Sequence, residues 1–156
     1  MSFPRPEVDI RYPPAELDPL IDWFERVSHR LVLLEEYALE DLARMVRTVG
    51  SAVALHGEVE DPRLAALPRS SAEAEALVRR LRADHAWFRS STAQLEWFLS
   101  IVENEDHGGH RQALGQYGRV YAESLRRHRA DELELARRTA SEPGKDPART
   151  GAANRN

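Results

Sequence analysis

The stretch from Ser71 to Gly109, SAEAEALVRRLRADHAWFRSSTAQLEWFLSIVENEDHGG, carries the clearest structural signal in the chain. Ala74, Leu81, Phe88, Leu95 and Val102 recur at heptad spacing, with Leu77 and Phe98 beside them. A row at that spacing runs along one side of an α-helix and needs other helices to cover it. Ser70 or Ser71 is placed to cap the helix, and Glu73 and Glu75 fall in its first turn, where the helix dipole favours negative charge. At the other end Gly108-Gly109 supplies the stop and the turn.

On the C-terminal side a helix is expected from about His110 to Arg138, with Leu114, Tyr117, Tyr121, Leu125 and Leu135 facing inward. On the N-terminal side the linker DPRLAALPRS (61–70) carries two prolines. Before it, Leu17, Phe24, Leu31, Ala38, Met45 and Ala52 occupy one core position of a heptad. Leu20, Val27, Leu34 and Leu55 share the other with Asp41 and Thr48. The pattern keeps its phase across Gly50, so one long helix is expected from Pro14 or Ala15 to Asp61-Pro62. Short links make successive helices antiparallel neighbours. The fold class is therefore all-α, an antiparallel bundle of three long helices, or four if the first breaks near Gly50. Residues 1–14, with Pro4, Pro6, Pro13 and Pro14, read as an extended arm. Residues 15–140 form the bundle, and 141–156, with no apolar side chain larger than alanine, read as a disordered tail.

Composition narrows the function. The 156 residues have room for one domain, and 31% charged against 42% hydrophobic residues suits long helices with one apolar stripe each. The net charge of −4 includes no basic stripe of the kind nucleic-acid binders carry. The run Arg126, Arg127, Arg129 lies beside Asp131, Glu132 and Glu134, which reads as a salt-bridged surface. No cysteine is present, which excludes disulfides, zinc fingers and thiol catalysis. No apolar run approaches a membrane span and no secretory leader is evident, so a cytoplasmic protein is expected. Phosphate-binding loops, nucleophile elbows and HExxH are absent. Glu35-Glu36 with Glu40 lack a second acidic motif.

The polar residues at core positions carry what chemistry there is. Folding the last two helices about Gly108-Gly109 sets Asp84 opposite Asp131, Ser91 opposite Ser124, and His85 level with His128. Folding the first two about the proline linker sets Thr48 level with Asp84 and Asp41 with Ser91. All helices then turn polar in the same middle layers. A buried layer of this kind must satisfy itself, because unpaired carboxylates and imidazoles cost several kcal/mol to bury. Three readings stay open: a hydrogen-bonded network that fixes helix register, a His/carboxylate metal site, or a layer opened onto a partner. As a metal site, His85 and His128 would supply nitrogen, Asp84, Asp131 and Glu132 oxygen, with Asp41 behind them. A second cluster, Glu103, His107, His110 and His29, reads as surface or capping groups.

His29, His56 with Glu60 (LHGEVE), His85 (RADHAWF) and His128 with Glu132 (RHRADE) follow one another along the chain. This order resembles the hemerythrin-like cation-binding bundles. Those use a His, a His-x-x-x-Glu, another His and a final His-x-x-x-Glu on four successive helices to hold two irons. The resemblance adds His56 and Glu60 to the candidate metal ligands and implies a non-haem di-iron centre that binds or senses oxygen or stores iron. The stretch between His29 and His56 carries no turn signal, and His29 falls outside the core stripe.

Two functions follow. The first is a non-enzymatic bundle acting through self-association or as an accessory subunit, with a protein partner or a second copy meeting flank aromatics such as Trp23, Tyr37, Trp87 and Trp97. The alternative is a bundle binding iron or manganese.

Overall fold

A computed structural model describes residues 8–68 and 70–141. The expected disordered tail, from 142 on, and the first half of the expected arm, 1–7, lie outside the described residues. The chain is all-α: α1 (Leu17–Val32), α2 (Leu39–Ala66), α3 (Ala72–Asn104) and α4 (Gly108–Ala140). Among the described residues there is no strand. The helices form an antiparallel bundle in which α4 packs on both α1 and α3, and α2 packs on α3. Contact between α1 and α2 is slight.

The expected first helix is two. It breaks at 33–38 and not at Gly50, for a reason composition hides. Leu34 takes the left-handed conformation (φ 62°). The Glu35 N–H then reaches back to the Arg30 carbonyl and the Leu34 N–H to the Leu31 carbonyl, both at 3.0 Å. That is a Schellman ending with leucine where glycine is usual. Groups on α4 secure the connection: Gln112 caps the Val32 carbonyl at 2.9 Å, and Arg111 donates to the Tyr37 carbonyl. Ala38, a core position by heptad, is the exposed residue before α2. Gly50 stays helical and buried, and the glycine serves close packing there, since a Cβ would come within 2.7 Å of the Thr92 methyl.

The second departure is at Asp61-Pro62. The helix runs through Pro62 to Ala66. Proline in a helix frees the carbonyl four residues back, but Glu58 and Pro62 are both exposed and water can serve that carbonyl. Two residues further on, Leu64 is buried with Ala74, Leu77, Leu81 and Leu135. Burying a leucine is worth roughly 1.5–3 kcal/mol, enough to offset much of the proline's cost. Ser71 caps α3 as expected, accepting from the Ala74 N–H at 3.1 Å.

At 16 residues α1 is about half the length of its neighbours, which have 28, 33 and 33. A large apolar cluster, containing Phe24, Leu31, Leu42, Met45, Leu95 and Tyr121, fills the half that α1 covers. The smaller cluster around Leu64 and Leu135 lies in the half with three helices. Trp23 belongs to the interior and not to a free flank: it is buried, Ile10 packs in the same cluster, and its indole N–H donates to the Asp9 carbonyl at 3.1 Å. Trp87 and Trp97 stay exposed. Among the described residues no helix is long and apolar enough to cross a membrane.

Candidate metal centre

Between the two apolar clusters lies a polar layer. On α2, His56 and Glu60 stand one turn apart and so share a face. On α4, His128 and Glu132 repeat that spacing, and α3 brings His85 between Leu81 and Phe88. The Glu60 carboxylate oxygen Oε2 lies 2.9 Å from His56 Nε2, 2.9 Å from His85 Nε2 and 3.3 Å from His128 Nε2. His85 Nε2 and His128 Nε2 are 3.1 Å apart. The four donor atoms all lie within 4.8 Å of one another. Glu132 adds Oε1 at 2.7 Å from His56 Nε2 and 3.5 Å from His128 Nε2. Its other oxygen is held by Arg129, which also bonds Asp18 in the first turn of α1 at 2.8 Å.

Two further carboxylates stand behind the imidazoles. Asp61 Oδ1 is 2.7 Å from His85 Nδ1, and Asp84 Oδ2 is 3.2 Å from His128 Nδ1. A ring whose Nδ1–H donates outward keeps Nε2 turned inward.

The carboxylates and imidazoles hold one another charged. Glu132 and Glu60 lift the His56 pKa to about 9 against burial. Burial opposes protonation of His128, but Glu132, Glu60 and Asp84 together carry it up to about 10. Burial would raise Glu60, yet His128, His56 and His85 pull its carboxyl well below the usual range. Glu132 is likewise lowered: His128 and His56 outweigh burial and the neighbouring Glu60. Without a cation, protons shared with the histidines balance the two glutamates.

The donor set fits a transition metal. Two nitrogens bound to one cation at about 2.1 Å lie roughly 3.0–3.4 Å apart, and opposite donors about 4.2 Å apart. The observed spread needs only a small inward shift. Two cations sit about 3.5–4 Å from each other and would need donors spread well beyond this set. His56 Nε2 supplies an independent sign. It is buried, and although two carboxylate oxygens lie within 3 Å, neither is oriented to make a hydrogen bond with it. Direction and not distance decides that contact, and a ring nitrogen aimed into the cluster without a hydrogen bond becomes a metal ligand once a cation displaces its proton.

Of the candidate ligands, the structure brings together His56, Glu60, His85, His128 and Glu132. Asp84 lies beside them, on the far nitrogen of His128. Asp131 is not among them: it takes a two-point bond from Arg80, at 2.6 and 2.7 Å. The expected Asp84–Asp131 pairing is therefore replaced by His128–Asp84 and Arg80–Asp131. The α3–α4 register is otherwise close to expectation, with His85 on His128 and Thr92 on Tyr121 at 2.8 Å. The α2–α3 register is corrected by several turns, since Gly57, Glu60 and Asp61, and not Thr48, meet His85. Continuation of α2 past Pro62 is the cause. Asp41 bonds Arg44 and Ser124 its own helix. His29 borders a separate groove with Val8, Leu33 and Arg119. His107 caps α4, accepting from the Gly109 and His110 N–H groups. Asp61 escaped the sequence reading because Asp-Pro reads as a helix stop. Comparison with known protein families, curated proteins and solved structures finds no match for the chain.

Proposed function

We propose that this chain binds one divalent transition-metal cation in the layer between its apolar clusters. His56, Glu60, His85 and His128 hold it, with Glu132 beside them. The observation that carries this reading is the convergence of three imidazole nitrogens and a carboxylate oxygen, from three helices, within 4.8 Å. Imidazole mixed with carboxylate suits non-haem iron or manganese. The donor order on α2, α3 and α4 supports a hemerythrin-like kind of site, but α1 adds no donor, so one cation is expected and not two. Such a cation supplies a place for a small exogenous ligand. The test is metal content by inductively coupled plasma mass spectrometry on untagged protein, with an absorption spectrum of the same sample. One equivalent, lost in His128→Leu, is expected. No metal after chelator-free purification, and no uptake on reconstitution, would overturn the reading.

Association is a second reading, and one observation favours it. Leu55 and Val59 on α2 and Leu133 on α4 are 61%, 46% and 70% exposed. Leu133 lies beyond the first turn of α1, where Asp18 bonds Arg129, and Leu55 and Val59 are likewise left uncovered by the described helices. This supports a bundle that meets a second copy or acts as an accessory subunit. A monomer in light scattering at high concentration, with no partner recovered from the native host, would count against it.

A further inference from the structure

We propose, building on the cation reading above, that Asp61 and Asp84 are positioning residues which sort the three imidazoles into two anchored donors, His85 and His128, and one exchangeable donor, His56. The arrangement follows the order of the helices. The acid from α2, Asp61, backs the histidine of α3 at 2.7 Å. The acid from α3, Asp84, backs the histidine of α4 at 3.2 Å. By the same rule the histidine of α2 would take its backing from α1. The acid that α1 offers at this level is Asp18, and it is engaged by Arg129 at 2.8 and 3.3 Å. Among the described residues no hydrogen bond reaches His56 Nδ1.

Burial divides the rings in the same way. The His85 and His128 side chains are 2% and 0% exposed, whereas His56 is 20% exposed. A carboxylate on Nδ1 fixes the tautomer and the ring plane and makes Nε2 a stronger donor, and losing one typically weakens metal affinity 10–100-fold. His85 and His128 have that support, and their own rings are almost wholly buried. His56 lacks that support and its ring is the more exposed of the three, so it is the donor an external ligand displaces.

The test uses cobalt(II) as the probe on the full chain, with affinity from competition against a chromophoric chelator and geometry from the cobalt absorption bands. Asp61→Asn and Asp84→Asn are each expected to weaken affinity 10–100-fold, while Asp131→Asn, whose carboxylate faces Arg80, leaves it unchanged. His56→Ala is expected to bind weakly and to recover both affinity and the wild-type spectrum when millimolar imidazole is added. His85→Ala and His128→Ala should not be rescued. Circular dichroism of each metal-free variant separates loss of binding from loss of fold, and the two asparagine variants decide the matter if a buried histidine variant fails to fold. Wild-type affinity in both asparagine variants overturns this inference while the cation reading stands, and so does rescue of His85→Ala but not of His56→Ala. No cobalt uptake by the wild type overturns the cation reading, and this inference with it.

Discussion

Where α1 covers the bundle, Phe24, Leu31, Met45, Leu95 and Tyr121 meet in an apolar interior, and α1 and α4 approach closely. A Cβ on Gly118 would come within 2.3 Å of the Ser28 hydroxyl. Beyond Leu17 three helices remain, and the apolar cluster is five buried residues. The polar layer sits at the boundary between the two halves. Four-helix packing there would have closed the layer, and three-helix packing alone would have left it open to water. The result is a graded site, in which the His85 and His128 rings are almost wholly buried and the His56 ring is partly exposed. Stability resides mainly in the first half and cation chemistry at its edge, so the two should be separable by mutation.

The sharpest way to separate them is Phe24→Ala. The ring is fully buried, and its loss is expected to cost about 3–5 kcal/mol in urea denaturation while leaving the stoichiometry of cation uptake unchanged. Leu64→Ala probes the other half. We expect about 2–3 kcal/mol, toward the lower end for a buried leucine because a small open cluster can collapse around the gap. It should also weaken cation affinity, since Leu64 anchors the turn of α2 that carries Glu60 and Asp61.

His128→Leu reverses the pattern. Metal-free protein is expected to lose about 1–3 kcal/mol, because Glu60, Glu132 and Asp84 each lose a partner, while cation uptake disappears. A variant that keeps both its stability and its metal would show that the layer is not a unit.

Acidity gives a smaller and more gradual effect, confined to the layer. In chelator-treated protein, His56 and His128 titrate near 9 and 10 in the fold against 6.5 for the free side chain. Their contribution is fully present below pH 6.5 and is lost as pH rises through 9 to 10. Glu60 and Glu132 are lowered, so theirs is present above pH 4.5 and is lost as pH falls through the folded values. Chemical denaturation across this range should show greatest stability between about pH 4.5 and 6.5, and bound cation should flatten the alkaline limb by displacing the protons. The smallest change is expected from Leu133→Ser, within about 0.5 kcal/mol for the monomer. A larger effect that depends on protein concentration would point to association through that face.

Much of the bundle was legible from local signals. The heptad of α3 and its Ser71 cap needed no tertiary information, because a seven-residue apolar row and a hydroxyl three residues before a helical N–H act within one helix. The α3–α4 register followed as well, since a short turn leaves little freedom to slide. The break at Leu34 was not legible: a leucine in the left-handed region costs about 1–2 kcal/mol, and contacts from Arg111 and Gln112, distant in sequence, stabilise the turn. Pro62 misled in the opposite direction, because its cost is offset by Leu64 burying against Leu135.

The candidate site divides along the same line. His85 and His128 stood out as polar residues on heptad faces, and the His-x-x-x-Glu spacing marked His56 and Glu60. The roles of Asp61, Asp84 and Asp131 did not stand out, because an acid on a helix flank can turn to a histidine or to an arginine with equal local ease. Periodicity and turn chemistry act over a few residues, so local patterns were enough to establish that the chain is helical, that its helices pair in antiparallel order and that their inward faces turn polar near the middle. Where the first helix breaks, how far α2 slides along α3 and which carboxylates stand behind which imidazoles were settled by the folded packing. Those depend on burial between segments far apart in the chain, and no local pattern records it.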